Sequence, residues 1–211
     1  MTDRVIRIKV CGMRETENIK QLVALKPDFI GFILFPGSIR YVGDNFQLKT
    51  ELPETIQRVG VFVNALIEDV IHWVNQLALN YIQLHGVESA DYCQELSDIK
   101  LHVIKAFSIS ETFDFSTLQA YRTCCDYFLF DTKSQLHGGS GIKFNWDHLD
   151  DYNLDLPFFL SGGIGHDDAA EVLSLKNKLP LYAVDINSQF EIAPGIKDIE
   201  LLRQFFSTIR R

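Results

Sequence analysis

Residues 6–12 of the chain read Ile6-Arg7-Ile8-Lys9-Val10-Cys11-Gly12. The closely spaced β-branched residues Ile6, Ile8 and Val10 favour a β-strand. A cysteine stands at the end of this strand, and the glycine after it frees the chain to turn. Seven later stretches also place polar or glycine residues directly after an apolar strand. The first strand therefore begins a repeated unit, and its thiol serves either packing or chemistry.

Eight strand candidates recur at intervals of roughly 20 to 30 residues, which fits a strand, a helix and two short loops rather than a hairpin. They begin near Val5, Asp28, Gln57, Asn80, Leu101, Asp126, Pro157 and Leu181. The stretches 29–35, 127–130 and 157–160 are apolar throughout. Continuous apolar runs are typical of parallel strands that helices cover on the outside.

Helical periodicity fills most of the intervals between these strands. Apolar residues recur at helical spacing in 19–26, 67–77 and 199–209. The intervals 43–54 and 107–125 are weaker, although 114–122 can form one short helix, and the polar, glycine-rich stretch 133–143 predicts a long loop. Eight units without a break in composition predict one domain over residues 1–211, a compact (β/α)8 barrel. An open doubly wound sheet is the main competitor, but no G-x-G-x-x-G motif follows the first strand.

Composition narrows the class of protein further. The 211 residues are 46% hydrophobic and 23% charged, as in ordinary globular proteins, and the net charge of −8 argues against nucleic acid as the main partner. We expect a cytoplasmic protein without membrane contact, since no apolar leader or span occurs. The cysteines fit neither a zinc pattern nor a disulfide scaffold and are expected as reduced thiols: Cys11, Cys93, Cys124 and Cys125.

In barrels of this kind, catalytic groups lie at the carboxyl-terminal ends of the strands. Ser161-Gly162-Gly163 follows the seventh strand and Asn187-Ser188 the eighth, where the loops usually bind phosphate through backbone N–H groups. The alternative for the two glycines is a tight turn that needs their dihedral freedom. Because the loops after both the seventh and the eighth strand carry such residues, the sequence favours a phosphate site.

Cys11 and Asp131 follow the first and sixth strands and can act as an acid/base pair. To act as a base, Cys11 must be deprotonated, and nearby positive charge favours the thiolate. Lys9 or the amino-terminal end of the helix at the phosphate site can supply that charge. The alternatives are a buried small hydrophobe for Cys11 and a turn or cap residue for Asp131.

Two further polar residues stand at strand ends. Arg40, after the second strand, has the fork geometry that suits a carboxylate, unless it is a solvated surface residue. His85, after the fourth strand, can be a base, a ligand partner or a core imidazole. The other histidines show no metal-ligand spacing and receive no role: His72, His102, His137, His148 and His166.

A set of short motifs runs in a fixed order from end to end of the chain. They are Lys9-Val10-Cys11-Gly12, Gly31-Phe32-Ile33-Leu34-Phe35 with Ser38-Ile39-Arg40, Gly60-Val61-Phe62-Val63-Asn64, Ile82-Gln83-Leu84-His85-Gly86, Phe130-Asp131-Thr132, Gly138-Gly139-Ser140-Gly141 with Phe144-Asn145-Trp146, Leu160-Ser161-Gly162-Gly163, and Val184-Asp185-Ile186-Asn187-Ser188 with Pro194-Gly195-Ile196-Lys197-Asp198. The ordered set resembles the phosphoribosylanthranilate isomerase family of tryptophan biosynthesis.

That resemblance implies a (β/α)8 barrel without metal or organic cofactor, monomeric or homodimeric, that binds a small phosphoribosyl substrate. The implied reaction is the Amadori rearrangement of the aminoaldose N-(5'-phosphoribosyl)anthranilate to the aminoketose. It implies Cys11 as general base and Asp131 as general acid. The implied binding residues are Arg40 for the anthranilate carboxylate, Gly162, Gly163, Asn187 and Ser188 for the phosphate, and Asp185 and His85 elsewhere on the substrate.

The chain departs from the family at a few positions. Ile39 stands where the family usually has proline, which removes a rigid turn before Arg40. Gln189 replaces a glycine, and a side chain there can crowd the phosphate or require a negative φ. The lid segment has Ser140 for threonine and Asn145 for aspartate.

Three other functions are compatible with such a barrel. The related histidine-pathway isomerase uses two aspartates, and Cys11 argues against it. A metal-dependent pentose-phosphate epimerase needs a His/Asp ligand set that the sequence lacks. A phosphate-binding barrel without catalysis shares the fold, and the intact Cys11/Asp131 pair argues against it.

Overall fold

The structure is a computed structural model that describes residues 5–132 and 145–210. Eight parallel strands pair in chain order and close into a barrel. They are β1 (Arg7–Val10), β2 (Phe29–Ile33), β3 (Gln57–Phe62), β4 (Tyr81–Leu84), β5 (His102–Ile109), β6 (Tyr127–Thr132), β7 (Phe158–Leu160) and β8 (Leu181–Ile186). β1 pairs with β8, which places Lys9 opposite Asp185. The barrel is therefore confirmed, and the open sheet is excluded.

The helices are less regular than the strands. The described residues form five α-helices, namely α1 (Thr16–Ala24), α2 (Ile67–Leu77), α3 (Ala90–Asp98), α4 (Ala169–Leu175) and α5 (Ile199–Ile209). Short 3-10 helices, Phe115–Tyr121 and Trp146–Asp151, are the helical segments described after β5 and β6, so the short helix predicted over 114–122 is confirmed as a 3-10 helix. The predicted loop at 133–143 lies outside the described residues.

No helix forms between β2 and β3, where residues 34–56 are all described, so the (β/α)8 pattern is incomplete there. Gly43 in this segment has a φ of +95°, and Pro53 lacks the N–H that a helix interior requires. Side chains cap the start of two of the α-helices: Ser89 accepts from the N–H of Tyr92 at the start of α3, and Asp198 starts α5 in the same way.

A small hairpin that the sequence analysis did not predict lies between β8 and α5. β9 (Glu191–Ala193) and β10 (Ile196–Lys197) pair antiparallel, with Lys197 opposite Glu191. Pro194 and Gly195 form the turn, and Gly195 has a φ of +81°, which favours glycine. The hairpin brings two charged side chains to the loop that follows β8.

The barrel interior is filled by aromatic rings towards its amino-terminal end. Phe29, Tyr81 and Tyr127 are the first residues of β2, β4 and β6, and they surround the fully buried Phe159. Phe159 lies 5.2 Å from Phe29 and 5.4 Å from Tyr127 between ring centroids, in edge-to-face geometry. This packed layer is typical of barrel cores and leaves the polar groups at the opposite end.

The helices are too short for a transmembrane segment. The longest of them within residues 5–132 and 145–210 have eleven residues, and none is long and apolar enough to span a bilayer.

Candidate active site

A cavity opens at the carboxyl-terminal ends of the barrel strands. Eight of the nine predicted site residues line it: Cys11, His85, Asp131, Gly162, Gly163, Asp185, Asn187 and Ser188. Arg40 is the exception. The closed barrel thus gathers residues from five strand ends that are far apart in the sequence into one volume.

Cys11 lies at one side of this cavity, directly after β1. Its side chain is 4% exposed, and its backbone N–H donates to the carbonyl of Ile186 at 3.0 Å, which ties it to β8. Burial raises the pKa of the Cys11 thiol, and the positive charges of Lys9 and Lys197 oppose that shift only in part. The thiol is therefore protonated in the free protein at neutral pH, and a thiolate forms more readily as the pH rises.

Beneath Cys11 lies a buried ion pair. Lys9 Nζ is 2.7 Å from Asp185 Oδ2, and the two side chains are 0% and 5% exposed. Burial alone lowers the pKa of Lys9, but the negative charge of Asp185, together with that of Cys11 when its thiol is ionised, outweighs the effect of burial, so that this pKa is raised. Burial also raises the pKa of the Asp185 carboxyl, against the opposing charge of Lys9. The raised pKa of Lys9 keeps its ammonium group charged at neutral pH.

The second oxygen of Asp185 is available to a ligand. Asp185 Oδ1 is buried and has no hydrogen-bond partner among the described residues, while Oδ2 is occupied by Lys9. An unpartnered buried carboxylate oxygen is costly unless a donor reaches it. A hydroxyl or N–H group of a bound molecule can supply that donor, because Asp185 lines the cavity.

Asp131, at the end of β6, is held by two donors. Thr132 N–H donates to Asp131 Oδ1 at 2.8 Å, and His85 Nε2 lies 3.2 Å from Asp131 Oδ2. The amide Nε2 of Gln83 lies 2.8 Å from His85 Nδ1. An amide nitrogen can only donate, so His85 Nδ1 accepts and His85 Nε2 carries the proton that faces Asp131. Gln83, which the sequence analysis gave no role, fixes this tautomer.

The loops after β7 and β8 form an open cradle of backbone. Gly162 and Gly163 have φ values of +89° and +69°, and a Cβ at Gly162 would overlap the backbone nitrogen of Thr132. Asn187 and Ser188 face the same cavity, and Ser188 begins a 3-10 turn, Ser188–Phe190. The arrangement can present N–H groups to an anion from two sides.

Two details refine the expectations for this cradle. Gln189 lines the cavity and does not have a positive φ. It lies in the 3-10 turn Ser188–Phe190, whose backbone accommodates a side chain at this position. The N–H of Gly165, at the start of the next helical segment, donates to Asp168 Oδ2 at 2.8 Å. That donor is therefore occupied by the chain's own carboxylate.

Arg40 is buried against the hairpin rather than in the cavity wall. Its Nη2 is 2.7 Å from Glu191 Oε2 and its Nε is 3.0 Å from both carboxylate oxygens of Glu191. Lys197 Nζ reaches Glu191 Oε1 at 2.6 Å and Asn187 Oδ1 at 2.6 Å. The pKa of Glu191 is lowered: burial alone raises it, but Arg40 and Lys197 outweigh that effect. This charged network links Arg40 to the loop that carries Asn187.

A second buried pair supports the loop that carries His85. Lys105 Nζ is 3.0 Å from Glu88 Oε2, and Glu88 also accepts from the backbone N–H groups of Gly86 and Asn64 at 2.9 and 2.8 Å. The loops after β3 and β4 are thereby fastened to Lys105 within β5. Sequence reasoning missed these charged pairs, because nothing in the local pattern marks a lysine or glutamate as buried.

Comparison with known proteins agrees with this geometry. The family model described as N-(5'phosphoribosyl)anthranilate (PRA) isomerase matches residues 8–208. The N-(5'-phosphoribosyl)anthranilate isomerase of Phocaeicola vulgatus is 41% identical over 204 residues, which cover 97% of this chain and 98% of the relative.

Two solved structures share the fold over nearly the whole chain. The phosphoribosyl anthranilate isomerase of Thermotoga maritima superposes with a TM-score of 0.83 at 32% identity, covering 97% of this chain and 98% of its own. A phosphoribosyl anthranilate isomerase in complex with reduced 1-(o-carboxyphenylamino)-1-deoxyribulose 5-phosphate superposes with a TM-score of 0.80 at 30% identity, with coverage of 97% and 98%. This chain belongs to the N-(5'-phosphoribosyl)anthranilate isomerase family.

Proposed function

We propose that the chain catalyses the Amadori rearrangement of N-(5'-phosphoribosyl)anthranilate to 1-(2-carboxyphenylamino)-1-deoxyribulose 5-phosphate, a step of tryptophan biosynthesis, by general acid/base catalysis. One observation carries the proposal: Cys11 and Asp131 line the same cavity as the glycine cradle after β7. A thiol, a carboxyl group and an anion-binding cradle are the groups that this reaction needs. Family membership agrees with the same assignment.

In the first step, Asp131 is the general acid. It donates a proton to the ribose ring oxygen while the bond between C1 and that oxygen breaks, and the lone pair of the anthranilate nitrogen forms a C1=N iminium. His85 Nε2–H, 3.2 Å from Asp131 Oδ2, stabilises the carboxylate that this step leaves behind. The ring opens without a metal ion because the substrate's own nitrogen supplies the electron pair.

In the second step, Cys11 is the general base. Its thiolate takes the proton from C2, the C2–H electron pair forms a C1=C2 bond, and the iminium pair returns to nitrogen. The enolamine then tautomerises: C1 gains a proton while the C2 hydroxyl loses its proton and becomes the ketone. Loss of the C2-derived proton from Cys11 and return of a proton to Asp131, exchanged through water, restore both catalytic groups. The iminium already withdraws electrons from C2, so a thiolate is a sufficient base. The charge of Lys9 favours the thiolate that the step requires.

The remaining residues hold the substrate in our proposal. Backbone groups at Gly162, Gly163, Asn187 and Ser188 bind the phosphate. The free Oδ1 of Asp185 accepts from a ribose hydroxyl or from the anthranilate nitrogen, and His85 contacts the substrate beside Asp131. The assignments rest on the positions of these residues around one cavity.

Arg40 is proposed to bind the anthranilate carboxylate, with a constraint that the sequence did not reveal. Glu191 occupies its Nε and Nη2 donors. A second carboxylate must therefore approach the remaining Nη1 edge or displace Glu191. Lys197 favours displacement, because it keeps Glu191 paired when Arg40 turns away.

Several coarser expectations also remain proposals. They are a single domain over residues 1–211, a cytoplasmic location, a monomer or homodimer, and the lack of a nucleic-acid partner. The net charge of −8 supports the last of these.

The test of the proposal is a fluorescence assay with freshly prepared N-(5'-phosphoribosyl)anthranilate. We expect loss of anthranilate fluorescence at a rate far above the blank, and no such loss with Cys11→Ala or Asp131→Asn. Circular dichroism confirms that each variant is folded. A folded wild-type protein that leaves the fluorescence unchanged contradicts the proposal, and phosphate protection of that protein would then indicate a binding barrel.

A further inference from the structure

Three of the four cysteines meet in one cluster outside the cavity. Cys93 lies in α3, and Cys124 and Cys125 stand shortly before β6. Their three Sγ atoms all lie within 4.8 Å of one another, and all three residues are buried. None of them lines the cavity that holds Cys11 and Asp131. The proposed isomerase reaction therefore leaves this set of soft donors without a role.

The local backbone explains why three thiols converge. Neighbouring side chains in a strand point to opposite faces. Cys124 and Cys125 both turn inward because Cys124 ends a turn that follows the 3-10 helix Phe115–Tyr121. Cys93 lies on the buried face of α3 and meets them from the helix layer. Arg122 and Thr123, the residues directly before Cys124, are exposed.

The distances between the sulfur atoms fit one metal ion. A metal–thiolate bond is about 2.3 Å, and three such bonds in a plane place the sulfurs about 4.0 Å apart. Cys124 Sγ and Cys125 Sγ are 4.0 Å apart in the structure, and no other pair exceeds 4.8 Å. Small rotations about χ1 therefore suffice to bring all three sulfurs into the coordination shell.

The donor set selects the kind of ion. No histidine or carboxylate of the described residues belongs to the cluster, whereas structural zinc sites take four ligands. Thiolate-only sites prefer soft cations such as Cu(I). We propose that Cys93, Cys124 and Cys125 form a three-thiolate site for a soft monovalent cation, with Cu(I) as the probe. Binding exchanges the three thiol protons for one ion.

Occupancy of the site has a structural consequence. The ion would connect α3 to the start of β6, two elements on either side of β5. A ligand that binds only the folded protein stabilises it. We therefore expect Cu(I) to raise the melting temperature while the isomerase cavity stays open.

The test is an anaerobic titration of the fully reduced protein with Cu(I) held by a chromophoric chelator. We expect one Cu(I) per chain, three sulfur ligands at about 2.3 Å by X-ray absorption, and a higher melting temperature. Cys93→Ala and Cys125→Ala should each weaken Cu(I) binding at least tenfold. In each variant, X-ray absorption should show two sulfur ligands instead of three. The matched control is Cys11→Ala, which removes a buried thiol elsewhere and should retain the stoichiometry.

Results with the wild-type protein or with the variants could contradict the proposed site. The wild-type protein would contradict it by leaving all Cu(I) on the chelator or by binding Cu(I) through fewer than three sulfurs. The variants would contradict it if Cys93→Ala bound Cu(I) with unchanged affinity or if Cys11→Ala lost Cu(I) binding. The X-ray absorption measurement needs only the wild-type protein, so it decides the question even where an alanine variant fails to fold.

Discussion

The amino-terminal end of the barrel is filled by aromatic rings, whereas the carboxyl-terminal end is lined by ionisable groups and glycines. Phe159, at the first end, is fully buried, and its ring contacts are with Phe29, Tyr127 and Tyr182. Asp131, at the second end, keeps 18% of its side chain exposed and faces the cavity. The same strands carry both ends, so stability and chemistry are separated along each strand.

The two ends of the barrel also differ in their buried ion pairs. Within the described residues, the pairs Lys9–Asp185, Lys105–Glu88 and Arg40–Glu191 lie at the ends of barrel strands or in the loops after them. Desolvation offsets much of the attraction within a buried ion pair, so these pairs add little net stability, and we infer that they position the loops around the cavity. The comparison predicts that substitutions at one end change turnover and those at the other end change folding.

The largest expected effect is on turnover, from Asp131→Asn. The amide keeps the size of the side chain but cannot donate the carboxylic proton, so kcat should fall by about 10²- to 10⁴-fold. The melting temperature should stay close to that of the wild type. Steady-state kinetics and thermal unfolding of the same preparation measure both. Wild-type turnover in the variant would contradict the assignment of the chemistry to the carboxyl-terminal end of the barrel.

The opposite pattern is expected for Phe159→Ala. Removal of a fully buried ring leaves a cavity and should lower the free energy of unfolding by about 3–5 kcal/mol. Well below the melting temperature, kcat and KM should remain within a few-fold of the wild-type values. Phe159→Leu is the matched control and should lose a smaller part of the stability. Chemical denaturation gives the stability, and a large loss of kcat in the folded variant would break the comparison.

The pH dependence should carry the signature of the buried thiol. Cys11 acts as a base in its thiolate form, and burial raises its pKa above the ordinary value of about 8.5. The value of kcat/KM should therefore increase as the pH rises from neutral through that range. Cys11→Asp replaces the thiol with a more acidic group and should move the rising limb to lower pH. An unchanged limb in that variant would assign the titration to another residue.

The smallest effect is expected from Gln189→Gly. Gln189 lies in a 3-10 turn and has no positive φ, so glycine removes a side chain that the backbone already accommodates. We expect a change in KM of less than about threefold and a stability change within about 1 kcal/mol, the size of a glycine's entropic cost. Substrate titration measures the first. A large drop in KM would mean that the side chain obstructs the phosphate cradle.

The fold was largely predictable because strand patterns are local. Each predicted strand begins within two residues of its observed start, as at Gln57 and Leu181, because apolar β-branched runs mark buried strands directly. The hairpin of Glu191–Ala193 and Ile196–Lys197 was missed, since such short strands have no periodicity to detect. The interval after β2 showed only weak helical periodicity over 43–54, and no helix forms there.

The site was predictable as a set of strand ends, but its contacts were not. Arg40 and Glu191, and likewise Lys9 and Asp185, are separated by most of the chain and meet only when the barrel closes. Cys93 is much nearer in sequence to Cys124 and Cys125, but it meets them only when α3 packs beside the segment before β6. The pattern of a sequence shows which residues stand at strand ends, whereas pairing between distant loops depends on the closed fold.

The central claim is that Cys11 removes the C2 proton at the open end of the barrel. The most direct measurement is single-turnover loss of anthranilate fluorescence with protium or deuterium at ribose C2, in wild type and Cys11→Ala. Binding of the reduced product analogue serves as the control for an intact cavity. We predict a slower wild-type reaction with deuterium and a loss of about 10²- to 10⁴-fold in Cys11→Ala with near-normal analogue binding. A Cys11→Ala variant that turns over at the wild-type rate would contradict the account.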